Sequence, residues 1–126
     1  MKLKIKKSRV KSKLKICDEL WAKVVKQRAN GRCEYCGKEG VLAAHHIIPR
    51  TCYPVRHDVL NRVALCHPYH HLYWAHKDAV AFVEWVKTVR DLEYLELRRH
   101  SQSKNDYEMI RIYLESVLSQ NKGELE

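Results

Sequence analysis

Three consecutive segments decide how this chain is read. They are Cys33-Glu34-Tyr35-Cys36-Gly37, then Ala44-His45-His46-Ile47-Ile48-Pro49, then Asn61-Arg62-Val63-Ala64-Leu65-Cys66-His67-Pro68-Tyr69-His70-His71. Between Cys33 and His76 lie four of the five cysteines and all but one of the eight histidines. An odd number of cysteines argues against a closed disulfide framework, and Cys-x-x-Cys then reads as metal or redox chemistry. A redox pair sits between a strand and a helix. Here Gly31 and Gly37 flank the pair, which places it in a turn and favours a metal knuckle.

A structural zinc takes four thiolate or imidazole ligands in a tetrahedron. Cys33 and Cys36 supply one half-site. Cys66 follows a short apolar run and supplies a third ligand. His70, at Cys-x3-His spacing, supplies the fourth, whereas His67 lies too near in sequence to close the turn. The competing reading is a lone Cys33/Cys36 pair with Cys66 as a buried thiol. Cys17 and Cys52 have no partner at ligand spacing and read as ordinary thiols.

The remaining histidines need a second explanation. His45 and His46 are adjacent at the end of an expected strand, where neighbouring side chains point to opposite faces. Two roles fit such a pair, one metal ligand and one base. His71 opens a helix and can point away from His70. Asn61, just before the second strand, can fix a loop or orient an imidazole. His76 lies five residues past His71, about 500° around an α-helix, which takes it off that face. His57, His67 and His76 are therefore expected as surface residues or phosphate contacts.

Around this stretch the pattern predicts an α+β domain, mostly helical. Asp18 is the expected cap of a helix over 19–29, which Asn30-Gly31 ends. Residues 41–48 and 63–65 read as short strands, and Pro68 suits the first turn of a helix over 69–76. Phe82, Trp85, Val86 and Val89 define an amphipathic helix, and residues 91–99 read as another. Asn105 with Glu108 resembles a capping box. It opens a last helix to about residue 120, with Tyr107, Ile110, Leu114 and Val117 on one face.

The 126 residues predict one domain. The formal net charge of +9 is unevenly placed. Residues 1–16 carry eight Lys or Arg and no acid, which leaves 16 bases against 15 acids elsewhere. The division is a basic arm (1–16), with a strand-like Lys2-Leu3-Lys4-Ile5-Lys6 pattern, and a nearly neutral body (17–126). Such an arm fits a polyanionic partner, because Lys and Arg release counterions from a phosphate backbone. The plain alternative is a solubilising tail. No apolar run approaches the roughly 20 residues that span a bilayer, and the basic N-terminus lacks the apolar core of a secretory signal. No membrane partner and an intracellular location are expected.

Taken together, residues 31–77 resemble the HNH endonucleases, whose signature is a strand–strand–helix (ββα-metal, His-Me finger) motif. A His pair closes the first strand, an Asn precedes the second, a His lies near the helix start, and many members add a zinc knuckle. Cys33/Cys36, His45-His46, Asp58 with Asn61, Cys66 and His70-His71 occur in that order here. More weakly, Trp74-Ala75-His76-Lys77 and Phe82-Val83-Glu84-Trp85 look like small bacteriophage-type members, with residues 78–120 as C-terminal helices.

The resemblance implies DNA phosphodiester hydrolysis, by nicking or double-strand cleavage, in the cytoplasm of a bacterial host cell. His46 is then the general base, and its near-neutral pKa suits that task. His45 and His71 hold a divalent ion, Mg²⁺ or another such as Mn²⁺ or Ni²⁺, distinct from the structural Zn²⁺. Asn61 holds the loop that aims His46. Arg50, Arg56, Arg62, Lys11 and Lys13 contact double-stranded DNA, and a homodimer or a phage DNA-processing protein is the expected partner. The segment from Cys66 to His71 is one residue longer than usual. Either His70 binds zinc and His71 the catalytic ion, or Tyr69 takes the ligand position and His70 is catalytic. The competing functions are a non-catalytic zinc-containing nucleic-acid-binding module and a thiol redox protein.

Overall fold

The computed structural model describes residues 11–124. The strand-like pattern at residues 2–6 and most of the basic arm lie outside that range. The described elements are α1 (Lys13–Arg28), β1 (Leu42–His45), a 3₁₀ turn (Tyr53–Val55), β2 (Val63–Cys66), a π-helical turn (His71–Ala75), α2 (Ala79–Val86), α3 (Leu92–Arg99) and α4 (Tyr107–Glu124). The fold is α+β, with helices dominating a small sheet. Among the described residues, no helix is long and apolar enough to cross a membrane.

Helix α1 begins earlier than its sequence pattern predicts. Ser12 is the cap, and its hydroxyl accepts from the Lys15 N–H at 3.1 Å. The last residues assigned to the arm are thus helical, and Asp18 lies inside the helix with its carboxylate free for other partners. Asn30 and Gly31 end the helix with φ of 54° and 72°. Asparagine and glycine tolerate that left-handed region best.

The knuckle that follows is a tight turn. The Cys33 N–H donates to Lys38 O at 3.0 Å, and the Gly37 N–H donates to Cys33 O at 2.8 Å. Glu34 fastens this turn to β2. Its N–H donates to Ala64 O at 2.9 Å, and its carboxylate accepts the Ala64 N–H at 2.7 Å. Arg90 closes the other side of the same carboxylate, at 2.5 Å.

Strands β1 and β2 pair antiparallel, with Leu42 opposite Cys66 and His45 opposite Val63. The first strand is shorter than its apolar run, because the chain leaves the sheet after His45. The 46–62 connection is closed by Asn61, which is fully buried. Its amide oxygen accepts from the Ile48 N–H at 2.7 Å, and its Nδ2 donates to Ile48 O and Val55 O, both at 3.0 Å.

The core lies between α1, β2 and the C-terminal helices. Cys17, Trp21, Val24 and Val25 from α1 meet Val63, Ala64 and Leu65, then Phe82 and Val86 of α2, and Leu114 and Val117 of α4. A smaller cluster of Ile48, Val55 and Leu95 packs α3 on the connecting loop. Helices α2 and α3 are capped by Asp78 and Asp91. The cap of α4 is Asp106, which accepts the N–H groups of Glu108 and Met109 at 3.1 and 3.2 Å. Asn105 instead donates to Tyr53 O at 2.8 Å, and Glu108 pairs with Arg111. The expected capping box is therefore replaced by a cap one residue later.

Leu114 is fully buried and Met109, on the outer face of α4, is 60% exposed. Leu114→Ala is expected to cost about 2–5 kcal/mol of stability. Met109→Ala should stay within about 0.5 kcal/mol of the parent. Urea unfolding of the two variants measures the difference.

Candidate metal centres

Two Cys/His groups with ligand-like spacing occur among the described residues, one on each side of the His70–His71 peptide. The first is Cys33, Cys36, Cys66 and His70. The knuckle turn brings Cys33 and Cys36 together, β2 delivers Cys66, and the turn after it delivers His70. Cys36 Sγ lies 3.9 Å from Cys66 Sγ, and His70 Nδ1 lies 3.1 Å from Cys66 Sγ and 3.7 Å from Cys33 Sγ. A tetrahedron with Zn–S near 2.3 Å and Zn–N near 2.0 Å has edges of about 3.8 Å between sulfurs and about 3.5 Å between sulfur and nitrogen. The four groups can hold a zinc ion. Burial raises the Cys33 thiol, but the N–H groups of Cys36, Cys66 and Tyr35 more than reverse this and bring it down to about 7. A thiol so placed readily gives the thiolate that metals bind. Tyr69, the alternative ligand position, is 68% exposed and stands outside the group.

The second group is His45, His71 and His76, whose nearest nitrogens all lie within 4.8 Å of one another. His76 is a correction to the expected geometry. The segment 71–75 is not an α-helix, because the His76 N–H reaches back five residues to His71 O at 3.2 Å. An i→i+5 turn returns residue 76 to the face of residue 71. The two Nε2 atoms are 3.1 Å apart. His45 comes in edge-on from the end of β1, with ring centroids 5.3 Å from His71, 4.9 Å from His76 and 5.0 Å from Phe82. Burial, then the neighbouring imidazoles His76 and His71, push His45 down to about 4. His71 is lowered as well, by burial first and then by the neighbouring imidazoles His76 and His67. Unprotonated imidazoles offer lone pairs to a metal, and three of them converging in this way fit a divalent ion of the zinc or nickel kind.

His46 lines the same cleft, of about 750 Å³, with His45, His71, His76, Arg50 and Phe82. Because the strand ends at His45, the two histidines are not forced to opposite sides. The His46 ring is stacked on Trp21, with centroids 3.8 Å apart and planes 11° from parallel. Its Nε2 lies 2.9 Å from Arg56 O. A carbonyl only accepts, so Nε2 carries the proton and Nδ1 of the neutral ring keeps its lone pair. Burial pushes His46 down to about 4, against the near-neutral value its sequence context predicts.

Two residues expected at the surface are internal. Arg56 is only 8% exposed and gives a forked pair of hydrogen bonds to Asp18, at 2.7 and 2.9 Å. It is bound to the fold and is not a free phosphate contact. His57 is buried and meets the same carboxylate at 2.7 Å through Nε2. Burial disfavours the charge on Asp18, but hydrogen bonds from Arg56 and His57 outweigh it and hold the carboxyl below its usual range. Arg62 is half-buried against Val59 O, and burial followed by Arg90 and Arg28 lowers it to about 10. Lys11 pairs with Glu19 on the surface and Lys13 is exposed. Of the five basic residues expected to contact phosphate, Arg50 is the one that lines the cleft.

Comparisons with protein-family models, with curated proteins and with solved structures found no match.

Metal analysis should find about one zinc per chain, the stoichiometry of a closed tetrahedral site. That zinc should persist in His45→Ala and be lost in Cys66→Ser. A pH effect follows from the buried imidazoles. His45 and His46 lie near 4 in the fold against an ordinary 6.5. Between those values the unfolded chain binds more protons, so stability rises with pH across that window. Metal-free protein should therefore unfold at lower urea at pH 5 than at pH 7. His46→Phe, which keeps a ring on Trp21, should reduce the slope by up to about 1.4 kcal/mol per pH unit.

Proposed function

We propose that this chain is a metal-dependent endonuclease of the HNH type that hydrolyses DNA phosphodiester bonds. The observation that carries the reading is one cleft shared by a three-histidine group and a fourth histidine whose tautomer is fixed. The ββα-metal assignment draws its support from the order of the elements. Strand β1 ends in His45, Asn61 precedes β2, and His71 follows in the next helical turn.

The residues divide the chemistry as follows. His45, His71 and His76 would hold the catalytic ion. When bound there, a divalent ion supplies charge stabilisation to the scissile phosphate and to the departing oxygen. Three imidazoles without a carboxylate favour Zn²⁺, Ni²⁺ or Co²⁺ over Mg²⁺, which prefers oxygen ligands. This donor chemistry shifts the expectation for the catalytic ion away from Mg²⁺.

His46 would take the proton from the attacking water at Nδ1. Its low basicity keeps it unprotonated at pH 7, and the approach of an anionic phosphate backbone strengthens it as a base. Trp21 and Arg56 O hold the ring in place, so little reorganisation is needed at the moment of reaction. Arg50 would contact a phosphate from the cleft edge, and the basic arm adds contacts that carry no sequence information. One such site cuts one strand, so a double-strand break needs two protomers or two successive nicks.

The test is nicking of supercoiled plasmid by purified protein with Mg²⁺, Mn²⁺, Co²⁺ or Ni²⁺. His46→Ala should lower the rate by about 10²–10⁴-fold, the usual worth of a general base. Zinc content and far-UV dichroism should not change. A wild-type chain that binds DNA but never nicks it with any of these ions would instead be a non-catalytic zinc-containing module.

A further inference from the structure

His67 has no role in the proposed chemistry, yet it faces one of its ligands. It follows Cys66 directly, and its backbone N–H is tied to Val41 O at 3.0 Å beside the end of β1. Its side chain is exposed and turns towards the three-histidine group. His67 Nδ1 lies 3.3 Å from His71 Nδ1, with ring centroids 5.5 Å apart. On its other side, His71 presents Nε2 to His76 at 3.1 Å. The two nitrogens of His71 therefore face different partners. Only Nε2 faces the three-histidine group, so Nδ1 is the nitrogen left to carry the proton.

The geometry points to His67 as a positioning residue for the metal centre: it accepts the Nδ1–H of His71 and so fixes the ring with its Nε2 lone pair towards His45 and His76. This inference rests on the reading of that group as a metal site. A neutral imidazole exists in two tautomers, and only one offers Nε2 to an ion. A hydrogen bond to the other nitrogen selects the ligating tautomer, sets the ring's orientation and raises its basicity. For His67 the consequence is the complementary form, with its own proton on Nε2 and the Nδ1 lone pair towards His71. His67 is not itself a ligand in this arrangement. It stands outside the group whose nitrogens converge, and its contact is with the nitrogen of His71 that points away from His76.

Calorimetric titration of Ni²⁺ into zinc-loaded protein, prepared with one zinc per chain that is lost in Cys66→Ser so that the histidine group is free, tests this without any nuclease assay. Wild type is expected to take up one Ni²⁺ at the histidine group, and His71→Ala should abolish that uptake. His67→Ala should weaken it by about 10–100-fold, the usual cost of losing a partner of a ligating imidazole. His67→Asn, whose amide oxygen can accept the same proton, should restore the affinity to within about threefold of wild type by keeping that hydrogen bond. Wild-type affinity in His67→Ala overturns the positioning role while leaving the metal site intact. Equal loss in His67→Ala and His67→Asn overturns it as well, and makes His67 a ligand. No Ni²⁺ uptake by the zinc-loaded wild type removes the metal site itself, and this inference falls with it.

Discussion

A buried amide holds the connection between the two strands, and the cleft depends on it. Asn61 has no contact with solvent and binds Ile48 on both its N–H and C=O, and Val55 as well. An amide spent in this way satisfies backbone groups that a sheet leaves unpaired when a strand ends early. Losing it would leave buried donors and acceptors without partners, at a cost that exceeds the worth of the bonds themselves. With that loop closed, the Arg56 carbonyl sits where His46 can donate to it. The Arg56 side chain, held by Asp18 of α1, ties the loop to a helix that packs into the core. The position of one imidazole is thus set by a chain of contacts from α1 through Asp18 and Arg56.

The two Cys/His groups share a boundary one peptide bond wide. His70 turns towards the knuckle and His71 towards the cleft. The local backbone makes this division possible, because the turn after Pro68 changes from α to π geometry at that point. A π turn is rare and costs regular hydrogen bonding, and it is found mainly where side chains must be re-aimed for a purpose. Here it gathers two imidazoles on one face that an α-helix would separate. A small domain with a modest core gains rigidity where it most needs it if the knuckle is filled by metal, because binding energy there is also folding energy.

Much of this arrangement could be read from the residues alone, and the rest failed for identifiable reasons. The Cys33, Cys36, Cys66 and His70 group is legible because its members lie in two short turns, where spacing nearly determines geometry. The core faces of α2 and α4 are legible because burial imposes the helical period on Phe82 and Val86, and on Leu114 and Val117. His76 was misplaced because its location depends on whether the backbone bonds to i+4 or i+5, and no side chain in Leu72-Tyr73-Trp74-Ala75 announces that choice. Asp18 and Arg56 were misread because their partners lie 38 residues apart in sequence. A carboxylate early in a helix looks like a cap, and an arginine in a loop looks like a phosphate contact, until the fold brings them together. Trp21 is a plain core residue in the helical pattern, and only the folded chain places His46 on its face.

The Trp21–His46 stack also gives the cleft its own optical reporter. An indole in face contact with a neutral imidazole fluoresces differently from one against an imidazolium, whose positive charge draws excited-state electron density from the ring. Trp74 and Trp85 pack against each other, Phe82 and Tyr35, whereas the ring stacked on His46 is that of Trp21. The emission of Trp21 therefore carries the charge state of His46 with it. A change in the charge or position of that one ring should register in the emission of the protein as it stands, without a label.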